Sequence, residues 1–453
     1  MSSTKSRLYK HIRFLGAEGI GMSALTRILS KFENPPKISK SDIAYKQNDP
    51  LDEDIDLVVR STAIKDSDPD LKELRARGIE VWHRRDMLNY LSEDYKQVVV
   101  SGTHGKTTCS AMLTHLMKEC GKDPSYAVGG ILSNYDSNGD HGQGEFFILE
   151  GDESDKSFTK TNPHLALVTC IEEDHLENYP GGLQEIQECF FGFLHKAGLK
   201  VINIDDDCLH AYYLSKKNSE NIYTYSCSNS NADFLINLEA RSFNFDGEEI
   251  KLELNFPGTH NFINAVGVIA AAVMLGLDVK EACTALKSFK GIKRRFELVN
   301  DSYKGSIKVY DDYAHHPTEV ASLIQSIKEM NAKKLVFVYQ PHHPERTKQL
   351  WHDFVDVFKT FPKEHLCLML DIYIARSEPI EGINSEKLVQ EINLENVIYI
   401  KAGEQDKTFQ GNFTDIVKAL KPNIEKALPE DTDMIFLVGA GNIGKIAEAF
   451  KQQ

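Results

Sequence analysis

The amino-acid sequence predicts an α/β protein of two or three domains built on parallel sheets. Three observations carry that expectation. Short apolar runs alternate with amphipathic stretches along the chain, which is the pattern of βαβ units. Polar or Gly-rich residues follow the apolar runs directly, where ligands bind in open parallel sheets. The length of 453 residues suits two or three domains of ordinary size.

The elements follow in order. HIRFLG (11–16) reads as a strand entering a Gly-rich turn, and MSALTRILSKF behind it has helical spacing. DLVVRSTAI and EVWH read as two more short strands, with the helical LKELRARG between them. A second βα start lies at 97–121, QVVVSGTHGKTTCSAMLTHLMKECG, whose helix stops at Gly121 beside a basic residue. FFILEGDESD, HLALVTCIEEDH and KVINIDDD are each a strand followed by an acidic loop. A third set begins near 296, with SIKVYDDYAHHP, KLVFVYQPHHP, HLCLMLDIY and MIFLVGAGN separated by helical patterns. The boundary near 292–298 rests on where the second set of strands stops.

Composition excludes several function classes. The chain has 52 basic and 67 acidic side chains, a net charge of −15, which disfavours nucleic acid and anionic membrane surfaces as partners. Residues 1–96 hold 17 basic and 16 acidic side chains, so the acidity belongs to the later domains. No apolar run reaches the roughly 18 residues of a membrane span, and the N-terminus lacks a signal-peptide pattern. The eight cysteines are scattered without a CxxC pair, so reduced thiols are expected rather than a disulfide framework or a zinc knuckle. A cytoplasmic protein is the expectation.

Four motifs carry chemistry. Gly102, Thr103, His104, Gly105, Lys106, Thr107 and Thr108 follow a strand and open a helix. Glycine lets backbone approach a phosphate, the helix N-terminus meets negative charge, Lys reaches the outer phosphates and Thr suits magnesium. The strict P-loop spacing would place Gly where Val100 stands, and a tight βα turn with an incidental Lys fits the same residues. Glu150, Asp152, Glu153 and Asp155 follow the strand FFIL, where carboxylates suit a hard cation, though such a run is also an ordinary solvated loop. Asp174 and His175 follow another strand in the same way. Gly16, Glu18, Gly19, Gly21 and Met22 form a turn resembling a dinucleotide fingerprint, for which Asp42 would be the ribose ligand of an NAD-dependent oxidoreductase. GAGNIG (439–444) is a second Gly-rich loop, serving either a ligand or helix–strand packing.

GTHGKTT, EGDESDKSF, EEDHLENY, PGTHNFINA, GIKRRFE, VYDDYAHHPTE, QPHHPERT and GAGNIGKIA, in this order, resemble the motif set of the Mur ligases over residues 10–450. Those enzymes build the peptide stem of peptidoglycan. Within the family, EGDESD, DDYAHHPTE and the ending GAGNIGKIA point to the branch that joins L-alanine to UDP-N-acetylmuramate. The resemblance implies a Rossmann-like N-terminal domain for the uridine nucleotide (1–96) and a central P-loop ATPase-type α/β domain (97–294). A C-terminal Rossmann-like α/β domain (295–453) would close over the site. It implies ATP and Mg2+ as cofactors, UDP-N-acetylmuramate and L-alanine as substrates, and a monomer or weak homodimer.

Position by position, the resemblance implies that Lys106 and the backbone of 102–108 hold the ATP β- and γ-phosphates. Thr107 and Glu153 would bind magnesium, and His175 a second ion. His260, Asn261 and Asn264 would lie by the adenine, and Arg295 and Asp312 would meet the nucleotide across the domain junction. Gly16, Gly19, Gly21, Met22 and Ser61 would serve the nucleotide-sugar. Tyr313, His315, His316 and Arg346 would line the amino-acid cleft. The implied chemistry is phosphorylation of the lactyl carboxylate followed by amine attack on the acyl phosphate, with Lys106, Glu153, His175, His315 and Arg346 as the catalytic set. Either His315 or His316 would accept the amine proton.

The chain departs from the family pattern at Glu18, where Gly is usual, in a short stretch from Asp42 to Val58, and at His343, where Arg is common. Phe190 stands where several Mur ligases carry a carbamylated lysine, so no modified lysine is expected. Other readings are a ligase attaching a preformed tripeptide to the same sugar, a folate polyglutamate ligase, and a non-catalytic nucleotide-binding homologue.

Overall fold

The structure of the protein is a computed structural model describing residues 9–17, 19–41, 51–154, 156–176, 178–216, 221–256, 258–330, 332–374, 378–401 and 413–451. Glu18, Asp42 and Asp155 lie outside the described residues. Contacts divide the chain into two units, 1–255 with 261–291, and 256–260 with 292–453.

The first unit holds two sheets. The smaller consists of β1 (His11–Leu15), β2 (Lys37–Ser41), β3 (Leu57–Arg60) and β4 (Glu80–His83), all parallel, in the order β2-β1-β3-β4. Parallel neighbours require crossovers, and α1 (Ile20–Ser30), α2 (Pro69–Ala76) and α3 (Arg84–Ser92) accompany them. All five residues of β1 are buried, as expected for a strand with both faces covered. Asp68 caps α2 by accepting from the Leu71 amide, with Pro69 in the first turn.

Among the described residues the larger sheet has ten strands. They are β5 (Lys96–Ser101), β6 (Ser125–Leu132), β7 (Ser137–Asp140), β8 (Phe146–Glu150), β9 (Leu165–Val168), β10 (Leu199–Asn203), β11 (Ile222–Ser226), β12 (Phe234–Asn237), β13 (Ser242–Phe245) and β14 (Glu248–Lys251). Their order is β14-β13-β12-β11-β10-β9-β5-β8-β6-β7. The middle is parallel and both edges are antiparallel. Helices α4 (Lys106–Glu119), α5 (Gly182–Lys196), α6 (Asp207–Ser215), α7 (Thr259–Met274) and α8 (Val279–Leu286) belong to this part of the chain.

The strand order positions the site. β5 lies between β8 and β9, and the chain runs from β8 across β5 to β9. The loops leaving these three strands therefore share one carboxyl edge at a switch in strand order. The two sheets also share a core, in which Met22 and Ile28 of α1 join Val99, Phe147, Phe158 and Phe190. Asn138 of β7 donates to the Ile20 carbonyl at 2.6 Å, and a Cβ at Gly139 would approach the Ala24 backbone to 2.8 Å. The β6–β7 hairpin is thus fitted directly to α1.

The second unit has one sheet, β15 (Glu297–Tyr303), β16 (Ile307–Asp312), β17 (Leu335–Tyr339), β18 (Leu366–Leu370), β19 (Val397–Ile400) and β20 (Met434–Val438), in the order β15-β16-β20-β17-β18-β19. Among the described residues, only β15 is antiparallel to its neighbour. Helices α9 (Pro317–Lys328), α10 (Pro344–Gln349), α11 (Trp351–Lys359), α12 (Ser385–Ile392), α13 (Phe413–Ala427) and α14 (Ile443–Phe450) complete the unit. Alternate residues of a strand face opposite sides, and the cores obey this period of about two. Phe337 and Tyr339 enter one core with Phe436, and Val336 and Val338 enter the other with Ile435. Among the described residues, no helix is long and apolar enough to cross a membrane.

Candidate active site

The buried strand β5 delivers the loop 102–105 to the carboxyl edge of the large sheet. Gly102 has φ +137°, and a Cβ there would collide with the Thr169 hydroxyl. Gly105 has φ +81°, with Asn264 Oδ1 at 3.0 Å from where its Cβ would be. Glycine is required at both by conformation and by space. The loop is stitched to the end of β9: Thr103 N donates to the Cys170 carbonyl at 3.0 Å, Glu172 N to Thr103 Oγ1 at 2.8 Å, and the Thr169 hydroxyl to the His104 carbonyl. α4 opens with no side-chain cap and no acidic residue in its first turn. Its leading amides and dipole therefore suit an anion. Lys106 Nζ donates to the Gly102 carbonyl at 2.8 Å, the Thr103 carbonyl at 2.9 Å and Glu153 Oε1 at 2.7 Å. Thr108 occupies the third position of the same helix.

The loop after β8 supplies carboxylates. Glu150 accepts from Thr107 Oγ1 at 2.8 Å and from Gly129 N at 2.6 Å, so it fixes the first-turn threonine. Glu153 is buried, and burial pushes its carboxyl above the usual range although Lys106 opposes the shift. Among the described residues its Oε2 is buried without a hydrogen-bond partner. Glu153, Asp174 and His175 each present one ligand atom, all within 4.8 Å of one another. His175, in the loop after β9, sits in the left-handed region at φ +52°, where His is commoner than most non-glycine residues. An oxygen-rich set with one imidazole suits a hard divalent cation.

The first sheet presents a third loop. Gly16 has φ +77°, and a Cβ there would come within 2.6 Å of Ser61 Oγ, so these two expected residues are brought together. Gly19 caps α1 without a side-chain hydrogen bond, and Gly21 lies in the first turn against Arg84. Met22 continues this first turn. Its side chain is 1% exposed and packs into the shared core, supporting the loop from beneath. Arg84 Nη2 donates to Asp152 Oδ2 at 2.8 Å and links this loop to the acidic one. Asn261 is buried near the start of α7, whereas Asn264 lies against the Gly105 loop.

In the second unit the loops after β16, β17 and β20 converge, since those strands are neighbours. Arg294 Nε donates to Asp311 Oδ2 at 3.2 Å and Nη2 to the Gly439 carbonyl at 2.7 Å, and its guanidinium covers the Tyr313 ring at 4.9 Å. Asp312 accepts from Phe296 N at 2.7 Å and Ala314 N at 2.8 Å. Burial raises Asp311 to about 7 and Asp312 to about 6. Arg295 lowers the pKa of both Asp312 and His260, the latter already depressed by burial.

His316 caps α9, accepting from Thr318 N at 3.3 Å, while Glu319 receives the amides of His315 at 3.0 Å and His316 at 3.3 Å. His315 Nδ1 lies 3.0 Å from the Tyr313 carbonyl and 3.3 Å from Glu319 Oε2, both acceptors, which assigns the proton of the neutral ring to Nδ1. Nε2 is then the basic nitrogen. Burial depresses His315. Burial would raise Glu319, but His315, Arg295 and the two amides hold it at about 2. His342 Nδ1 lies 3.3 Å from Arg346 Nη1, and burial with neighbouring positive charge lowers His342 to about 4.

GAGNIG resolves in favour of packing. A Cβ at Gly439 would meet the Gln340 carbonyl at 2.6 Å, and one at Gly444 would collide with the Arg294 guanidinium. The roles of Glu150, Arg84, Glu319 and His342 are not legible from sequence spacing. Only Glu319 has a local signal, the capping pattern His316-Pro-Thr-Glu319.

Fold and site geometry together define an α/β protein whose Gly-rich loop and helix start suit an anion, beside three side chains that could hold a cation. The Mur ligase middle domain matches residues 100–272, and the Mur ligase, glutamate ligase domain matches residues 294–441. A UDP-N-acetylmuramate–L-alanine ligase of Geobacter sulfurreducens is 33% identical over 97% of this chain and 96% of the relative. One from Desulforamulus reducens is 35% identical over 86% of this chain and 89% of the relative. The crystal structure of the UDP-N-acetylmuramate–alanine ligase of Thermotoga maritima superposes with a TM-score of 0.75 at 26% identity, over 97% of this chain and 98% of the other. The chain belongs to the Mur ligase family of ATP-dependent ligases. Ligases of this family use ATP with Mg2+.

Proposed function

We propose that the protein joins L-alanine to the lactyl carboxylate of UDP-N-acetylmuramate, consuming ATP through an acyl phosphate. The observation that carries this reading is the Lys106–Glu153 pair in a Gly-rich loop beside Asp174 and His175, in a chain that matches ligases of that name along nearly its whole length. The three parts 1–96, 97–294 and 295–453 would serve nucleotide-sugar, ATP and amino acid respectively.

The residues present fit magnesium. Among the described residues Glu153 keeps a buried oxygen without a partner, and Asp174 and His175 join it in one donor set; the Thr107 hydroxyl, which donates to Glu150, would turn to the ion as a further oxygen ligand. Such an ion, when bound, offsets charge between phosphate oxygens and the carboxylate. A carboxylate is too electron-rich for direct amine attack, so its activation by phosphorylation is the chemical need. Lys106 exchanges its two loop carbonyls for phosphate oxygens, and the amides of α4 hold the remaining charge. Gly16, Gly19, Gly21 and Ser61 receive the nucleotide-sugar, while His260, Asn261, Asn264, Arg295 and Asp312 serve the nucleotide of ATP. Arg346 and Tyr313 orient the amino acid, with His316 as an N-cap rather than a base. His315 accepts the amine proton at Nε2, since Glu319 and the Tyr313 carbonyl hold its other nitrogen protonated.

The test is product mass. ATP, UDP-N-acetylmuramate and L-alanine should yield a product heavier by one alanyl residue, with one phosphate released per product. Turnover only with a preformed tripeptide, or with neither amine, would overturn the assignment.

A further inference from the structure

Arg84 opens α3 directly after β4, and its guanidinium joins loops of two different sheets. Nη1 lies where a Cβ at Gly21 would come within 2.7 Å, so the group occupies space that the missing side chain leaves at the start of α1. Nη2 donates to Asp152 Oδ2 at 2.8 Å. The other Asp152 oxygen accepts from Ser154 N at 3.0 Å and Ser154 Oγ at 2.6 Å. Residue 153, braced between these two, is the carboxylate that takes Lys106.

We infer that Arg84 is a positioning residue of the ligase, coupling occupancy of the first Gly-rich loop by the anionic nucleotide-sugar to the setting of Glu153 and Lys106 through Asp152. The inference rests on the assignment of the nucleotide-sugar to that loop. α1 starts without a side-chain cap or an acidic residue in its first turn, so an anion there meets both its amides and Arg84. Arginine presents five donors in a rigid fork. An anion drawing on Nη1 reorients the plane that also holds Asp152, and Asp152 with Ser154 sets the backbone on either side of Glu153. Rigid displacement of α1 is not available as the carrier, because Asn138 and Gly139 fit that helix to the β6–β7 hairpin. A plain exposed ion pair contributes little. This one is distinguished by a glycine that admits the guanidinium.

The test is calorimetric binding of a non-hydrolysable ATP analogue, with and without saturating UDP-N-acetylmuramate, to the wild type, Arg84→Met, Asp152→Asn and the double variant. In the wild type the nucleotide-sugar should change analogue affinity by about fivefold or more. Each single variant should bring that ratio to one at an unchanged melting temperature, and the double variant should add nothing further. Arg84→Lys should keep nucleotide-sugar binding yet lose the ratio, since one ammonium cannot serve both partners. A wild-type ratio of one, or a wild-type ratio retained in Asp152→Asn, would overturn the inference, and Asp152→Asn decides it even where Arg84→Met fails to fold. Wild-type protein that does not bind UDP-N-acetylmuramate would instead overturn the substrate assignment.

Discussion

Lys106 and Glu153 form an ion pair at 2.7 Å, with side chains only 16% and 6% exposed, at the mouth of the loop between β5 and α4. The ammonium also closes on the carbonyls of Gly102 and Thr103. Removing the ammonium strands a buried carboxylate, which typically costs about 3–5 kcal/mol. Lys106→Met should therefore abolish turnover and lower the melting temperature. Glu153→Gln keeps a polar group beside Lys106 and should cost less stability while reducing kcat by roughly 100-fold or more. Thermal unfolding and phosphate release check both.

Gly102 cannot accept a side chain. Its φ of +137° and the collision with Thr169 act together. Gly102→Ala should displace the loop from β9 and weaken ATP-analogue binding by roughly 100-fold, a loss of about 2.7 kcal/mol. Gly121, with nothing within 4 Å of a Cβ, provides the control. Its substitution by Ala should cost stability through φ +68° alone and leave analogue affinity unchanged in calorimetry.

Gly444 makes room for Arg294. A Cβ there would push the guanidinium off Asp311 and the Gly439 carbonyl. Gly444→Ala should destabilise the protein by about 1–3 kcal/mol. Because both changes break the same contacts, its effect should not add to that of Arg294→Ala. Unfolding of the two single variants and the double variant reads this, and additive losses would contradict it.

His342 should remain neutral across the working pH range. Its folded value of about 4 lies below the unfolded value of 6.5, so its stabilising contribution is fully present above about 6.5 and is lost as pH falls toward 4. Asp311 and Asp312, raised by burial to about 7 and 6, act in the opposite direction. Comparing His342→Gln with wild type isolates the histidine: the variant should lose less melting temperature between pH 7 and pH 5. Nuclear magnetic resonance titration of the ring checks the value itself.

What was legible in the sequence is what depends on neighbours along the chain. The strand–Gly loop–helix at 97–121 was readable because Gly102, Gly105 and Lys106 lie within a few residues of each other, and the cap at His316 has its partner at Glu319. The carboxylate loops after β8 and β9 were readable as acidic strand ends. The pairing of Lys106 with Glu153 or of Arg84 with Asp152 depends on strand order, which sequence spacing does not specify. Met22 looked like part of a ligand loop because it follows Gly21, yet helical periodicity turns it into the core. GAGNIG looked equally suited to a ligand or to packing, and only the neighbours Gln340 and Arg294 decide between them. The short strand β14, Glu-Glu-Ile-Lys, and the hairpin strand β7, Ser-Asn-Gly-Asp, lack the apolar alternation that reveals a strand, and their pairing partners define them.

The central claim is activation of the carboxylate by phosphorylation at the Lys106 loop, and an isotope measurement reaches it directly. UDP-N-acetylmuramate carrying heavy-isotope oxygen in its lactyl carboxylate is incubated with ATP, L-alanine and the protein, and the released phosphate is analysed by mass. One labelled oxygen should appear in inorganic phosphate, with ADP as the nucleotide product. Unlabelled phosphate, or label recovered in AMP, would contradict it.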